Sequence, residues 1–179
     1  FFQAVMQEDR SLYEFIDSDF TFVNERLARH YGIPDVEGSE FRRVQLKPEY
    51  QRGGLLTHGS ILTLTSNPNR TSPVNRGKWI LEQILGAPPP PPPPNVPPLE
   101  EAKGVDLTAS LRTRLEQHRA NPECATCHEK MDPIGFAFEN FDATGAWREK
   151  DGGFDIDPSG KLPDGRQFSG AQELKAVLR

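Results

Sequence analysis

The sequence predicts a mainly α-helical chain in two parts. A small helical domain over 1–87 and a second domain over 99–179, with a small β-hairpin near its end, are joined by a proline-rich linker at 88–98. Three observations predict this. Apolar residues recur at helical spacing between capping residues, as in Val23, Leu27 and Tyr31 before Gly32. Nine of the 17 prolines fall between Pro88 and Pro98, so one segment carries much of the Pro bias. Beyond it helical spacing resumes with Leu107, Leu111 and Leu115.

Ser11 and Glu14 have the spacing of a capping box, which predicts a short helix carrying Leu12, Phe15 and Ile16. A helix is expected over about 21–31, with Gly32 as a left-handed cap and Pro34 beyond. Val44 and Leu46 alternate with polar residues and suggest a short strand within 38–46. Glycines and hydroxyls dominate residues 53–76, which predicts an ordered loop with a short helix or strand inside it. Ser72 and Pro73 open a helix through Trp79, Ile80 and Ile84 that Gly86 closes.

Seven consecutive prolines at 88–94 predict an extended rod of about 22 Å, since Pro fixes φ and donates no hydrogen bond. The rod reads as a spacer, with docking to proline-recognising domains as the alternative. Asp106 is the expected cap of a helix that ends near Arg119. Asp164-Gly165 marks a hairpin turn, and Ser169 with Gln172 has capping-box spacing before a last helix bearing Leu174, Val177 and Leu178.

Composition excludes several classes of function. Lys+Arg 21 against Asp+Glu 26 gives a net charge of −5, with no basic stripe to track a phosphate backbone, so no nucleic-acid partner is expected. No stretch approaches the roughly 18 to 20 apolar residues of a membrane span, so no transmembrane segment is expected in this chain. No signal peptide is visible either; any export signal is expected to have been removed. The chain opens at Phe1-Phe2 in an apolar phase and stops at Arg179 within a periodic run, which reads as part of a longer polypeptide.

The chemistry concentrates in one motif. The only two cysteines are Cys124 and Cys127, and His128 follows at once. Random placement produces such a cluster in roughly one chain in 4000. Two thiols three residues apart followed by an imidazole form the attachment pattern of c-type haem, with Cys124 and Cys127 bonded to the vinyl groups and His128 as proximal iron ligand. One covalent haem c is therefore the expected cofactor. Rival readings are weaker on chemistry: a zinc site needs more ligands than His30, His58 and His118 readily supply, a dithiol redox motif wants a preceding strand, and a disulfide across two residues is strained.

The second axial ligand stays open. Met131 lies too close to His128 in sequence to reach the opposite haem face; His58, in the Gly-rich loop, is the favoured protein ligand; Met6, His30, His118 or an external ligand are the others. Phe136 and Phe138, with Phe141, are read as an apolar wall for the haem or as plain core. Arg70, Arg76 and Lys78 are candidates for haem propionates, against the simpler reading of a solvated face. Asp155, Asp157, Ser159 and Gly160 imitate a calcium loop, but Arg166 stands where its Glu belongs, so a turn is expected.

Longer stretches carry a resemblance. Gly53-Gly54-Leu55-Leu56-Thr57-His58-Gly59-Ser60, Thr65-Ser66-Asn67-Pro68, Arg70-Thr71-Ser72-Pro73-Val74 and Arg76-Gly77-Lys78-Trp79 precede the proline run. The haem motif and Met131-Asp132-Pro133-Ile134-Gly135-Phe136-Ala137-Phe138-Glu139-Asn140-Phe141-Asp142 follow it. Together they resemble the large secreted cytochrome c-like proteins of planctomycetes and related bacteria. The resemblance implies an exported haem c protein, periplasmic, cell-surface or secreted, whose second part is a cytochrome c-like haem domain.

The function expected from the sequence is electron transfer outside the cytoplasm through one covalent haem, with other redox modules or electron-transfer proteins as partners. A haem enzyme such as a peroxidase, or a cell-surface binding module with a structural haem, are the alternatives. Occupancy of the sixth iron position separates the first two.

Overall fold

The computed structural model describes residues 1–92, 99 and 104–179. Its helices are α1 (Phe2–Gln7), α2 (Glu25–Tyr31), α3 (Gly59–Leu64), α4 (Pro73–Gln83), α5 (Leu111–His118), α6 (Pro122–Phe136) and α7 (Gly170–Leu178). The strands form three two-stranded antiparallel ribbons: β1 (Phe20–Val23) with β2 (Arg42–Gln45), β3 (Lys150–Asp151) with β4 (Phe154–Asp155), and β5 (Ser159–Lys161) with β6 (Gln167–Ser169). The chain is thus mainly α with small hairpins.

The elements follow the local signals, with shifts that have physical causes. Around Ser11 the hydroxyl accepts from the Tyr13 amide and closes only a single 3₁₀ turn, Leu12–Phe15, in place of the expected helix. The helix expected from residue 21 starts later. Asn24 Oδ1 accepts from the Leu27 amide and sets the cap there, so the aromatic and β-branched run before it is free to pair as β1. Phe20 faces Gln45 and Val23 faces Arg42 in that ribbon. Gly32 closes α2 at φ 70°, as its position predicts. Asp106 spends its carboxylate on Thr108, and the next helix begins only where Ser110 Oγ accepts from Thr113.

Ser72 caps α4 by accepting from the Asn75 amide, with Pro73 in the first helical position. The Asp164-Gly165 turn joins β5 to β6 with Gly165 at φ 93°. At α7 the Ser169 hydroxyl makes no cap; Glu173, one position past the N3 residue of a capping box, instead accepts from the Ser169 amide.

The prolines at 93, 94, 97 and 98 lie outside the described residues, and Pro88–Pro92 belong to no helix or strand. The segments on either side of this run share one apolar core. Leu56, Leu62, Ile80 and Leu81 pack with Met131, Ile134, Phe138, Phe141, Phe168 and Leu174. Its centre is the crossing of α4 on α6, where two glycines bring the backbones together. A Cβ on Gly77 would overlap the Met131 carbonyl, and one on Gly135 would overlap the Pro73 carbonyl. A smaller cluster, Val23, Ala28, Tyr31, Ile33 and Leu46, holds α2 to the first ribbon.

Two buried arginines pin loops to this core. Arg52 stacks on the Tyr31 ring at 3.7 Å and donates to the Thr57 carbonyl at 2.8 Å and to Gly145. Arg76 donates to the carbonyls of Phe138, Phe141 and Asp142 at 2.6, 2.8 and 2.8 Å and pairs with Glu139 at 3.3 Å.

Candidate functional site

α6 begins because Asn121 Oδ1 accepts from the Glu123 amide and Pro122 fills the first turn, where no amide hydrogen is needed. Cys124, Cys127 and His128 then fall at i, i+3 and i+4, which places all three on one face of the helix. Both cysteines are free thiols of intermediate exposure, so neither is consumed in a disulfide. Cys127 also touches the edge of the main core.

His128 is oriented from behind. Its Nδ1 lies 3.0 Å and 3.2 Å from the two carboxylate oxygens of Asp132, one turn further along α6. Asp132 is 0% exposed, and Arg119 Nε stands 3.7 Å from its Oδ2. With Nδ1 facing Asp132, Nε2 is the ring nitrogen that this carboxylate does not engage. The His118 ring from the end of α5 meets the His128 ring edge-on, centroids 4.8 Å apart. Burial, and then His128 beside it, lowers the pKa of His118.

The other residues singled out in the sequence lie elsewhere. Phe138 and Phe141 are fully buried in the main core. Phe136 is buried with Leu99 and Leu115, and the Arg112 guanidinium covers its ring at 4.0 Å. It also borders a cleft of about 620 Å³ between α6 and the β5–β6 hairpin, lined in addition by Arg119, Pro133, Lys161 and Phe168. Met131 is buried against α4. Met6 is exposed, and His30 Nε2 bonds the Thr144 carbonyl. Arg76 is buried on carbonyls and Glu139, and Lys78 pairs with Glu82. Asp157 accepts from the Ser159 amide and pairs with Arg112.

His58 caps no helix with its side chain and has no described contact with α6. Its ring meets Phe1 at 5.0 Å, and its Nε2 is buried without a hydrogen-bond partner. Burial, and then the positive charges of the amino terminus and Arg52, push its pKa down to about 4. A histidine held neutral in this way stabilises the fold fully above its unfolded pKa of about 6.5, and loses that contribution as pH falls toward 4. Stability measured by urea unfolding is expected to drop by about 2 kcal/mol between pH 7 and pH 5 on this account. His58→Gln should flatten that slope; His118 contributes with the same sign, so some slope persists.

Asp132 is the site residue that sequence reasoning did not single out. Its signal was present: a carboxylate four residues after a histidine inside a helix lies on the same face and within reach of the ring. Among the described residues no three His, Cys, Asp or Glu side chains cluster so as to hold a metal ion by themselves. The donor set of two thiols and one backed imidazole suits a group that brings its own metal ligands, and in that sense these residues fit a c-type haem.

No curated protein and no solved structure matches the chain. Residues 1–33 match PSD4, a protein of unknown function (DUF1592). Residues 52–151, from the Arg52 loop through the Cys–His motif to the β3 strand, match PSCyt3, a protein of unknown function (DUF1588). Both are families found in planctomycete cytochrome c-like proteins. Since the second match spans more than half of its length, the chain belongs to the PSCyt3 family of proteins of unknown function.

Proposed function

We propose that this chain is an extracytoplasmic c-type cytochrome segment that transfers electrons through one covalently bound haem. The observation that carries the reading is the first part of α6, where two free thiols and a carboxylate-backed imidazole share one helix face. When bound, the haem supplies the one-electron chemistry of its iron. Cys124 and Cys127 tether it through thioether bonds. His128 presents Nε2, and Asp132 holds the Nδ1 hydrogen so that the ring neither rotates nor changes tautomer. The partners are other redox modules or electron-transfer proteins.

Protein produced in a host with cytochrome c maturation machinery is expected to keep one haem per chain after acid-acetone extraction, read by intact mass. Cys124→Ala combined with Cys127→Ala should reduce that to none. Extraction of the pigment from the wild-type protein would overturn the proposal. Rapid reaction with carbon monoxide and peroxide would keep the haem but move the function from carrier to enzyme.

A further inference from the structure

We infer that Asp132 is a positioning residue that lowers the reduction potential of the haem iron through His128; the inference rests on the haem reading above. The geometry has three parts. Both carboxylate oxygens lie within hydrogen-bond distance of His128 Nδ1, at 3.0 and 3.2 Å. Asp132 is completely buried, so its carboxylate is shielded from water. Arg119 stands 3.7 Å from the carboxylate, too long for a hydrogen bond, and His118 also feels its charge, so the imidazole of His128 is its hydrogen-bond donor among the described side chains.

The chemical consequence follows from the direction of polarisation. A carboxylate drawing on Nδ1–H increases electron density at Nε2 and makes it a stronger donor to iron. A stronger donor favours Fe(III) over Fe(II), and the low dielectric of a buried site strengthens the effect. A backbone carbonyl or water in the same place fixes the tautomer but polarises the ring less, because the acceptor carries no full charge. The spacing is set by the helix itself: Asp132 is one turn after His128, so any shift of α6 moves donor and acceptor together.

Asp132→Asn tests this, since it keeps shape and an acceptor oxygen while removing the charge. In the haem-loaded protein, spectroelectrochemical titration is expected to show the midpoint potential rise. The expected size is a tenfold increase in the reduced-to-oxidised ratio at fixed ambient potential, which is about 59 mV for one electron. An unchanged or lowered potential with covalent haem retained overturns the inference alone; absence of covalent haem in the wild type overturns the haem reading and this inference with it. A second measurement needs no variant. Proton NMR of the wild-type oxidised protein should show a His128 Nδ1–H that exchanges slowly with deuterium because it is locked on a buried carboxylate, and rapid exchange also overturns the inference.

Discussion

Gly135→Ala is expected to abolish the native fold, or to cost about 4 kcal/mol or more where it survives, against a total stability on the order of 5–15 kcal/mol. The sign is informative. In an isolated helix the same change stabilises by about 1 kcal/mol, because glycine loses the most backbone entropy on ordering. Here the added methyl would overlap the carbonyl, carbonyl carbon and Cα of Pro73, all backbone atoms at the start of α4. Backbone cannot swing aside as a side-chain tip can, so the two helices must separate. Separation opens the core at Ile80, Leu81, Met131 and Ile134. Gly77→Ala presses on Met131 from the opposite helix and should behave in the same way. Lys78→Ala, on an exposed face of α4 and losing only its pairing with Glu82, should change stability by no more than about 0.5 kcal/mol. Urea unfolding followed by circular dichroism measures all three, and a stabilised Gly135→Ala protein would refute the close crossing.

Arg76→Ala is expected to cost about 3–5 kcal/mol, the range for removing one partner of a buried ion pair. Arg76 is 2% exposed and Glu139 6%. Burial pulls the guanidinium pKa down to about 10 against the opposing field of Glu139, and burial raises that of Glu139. Deleting the guanidinium leaves three carbonyls of the 138–142 turn without this donor. It leaves Glu139 with Thr71 and Arg148 alone. Combining Arg76→Met with Glu139→Gln removes both charges, so the double variant should be more stable than Arg76→Met by itself, a coupling that thermal or urea melts of the four proteins would measure. Equal stability of the two would mean that Glu139 is not made costly by the loss of its partner.

Much of the secondary structure was legible because its causes are local. Gly32 in the left-handed region, Ser72 before Pro73 and the Asp164-Gly165 turn each act within a few residues, and each appears where its residue type places it. The misplaced boundaries arose where two local signals compete. Val23, Leu27 and Tyr31 fit a helical stripe, but the amide of Leu27 is claimed by Asn24, and the residues upstream gain more by pairing with Arg42–Gln45. Asp106 has the right residue type for a cap, yet its carboxylate is satisfied by Thr108, and Ser110 takes the role.

The motif needs nothing beyond chain order: Cys124, Cys127 and His128 share a face of any helix that contains them, whatever surrounds it, because 3.6 residues per turn places i, i+3 and i+4 together. Local sequence also determined the mainly helical class, since caps and periodicity are properties of short windows. What stands behind and beside that face is set by packing. The burial of Asp132, the approach of Arg119 and His118 from α5, and the placement of His58 against Phe1 all depend on how segments far apart in the chain pack. Packing likewise decided that Phe138 and Phe141 are core, and that residues on both sides of the prolines share it. A side chain's type and spacing are local quantities, whereas desolvation and close backbone approach are set by the whole fold; Gly77 and Gly135 acquire their importance only where α4 crosses α6.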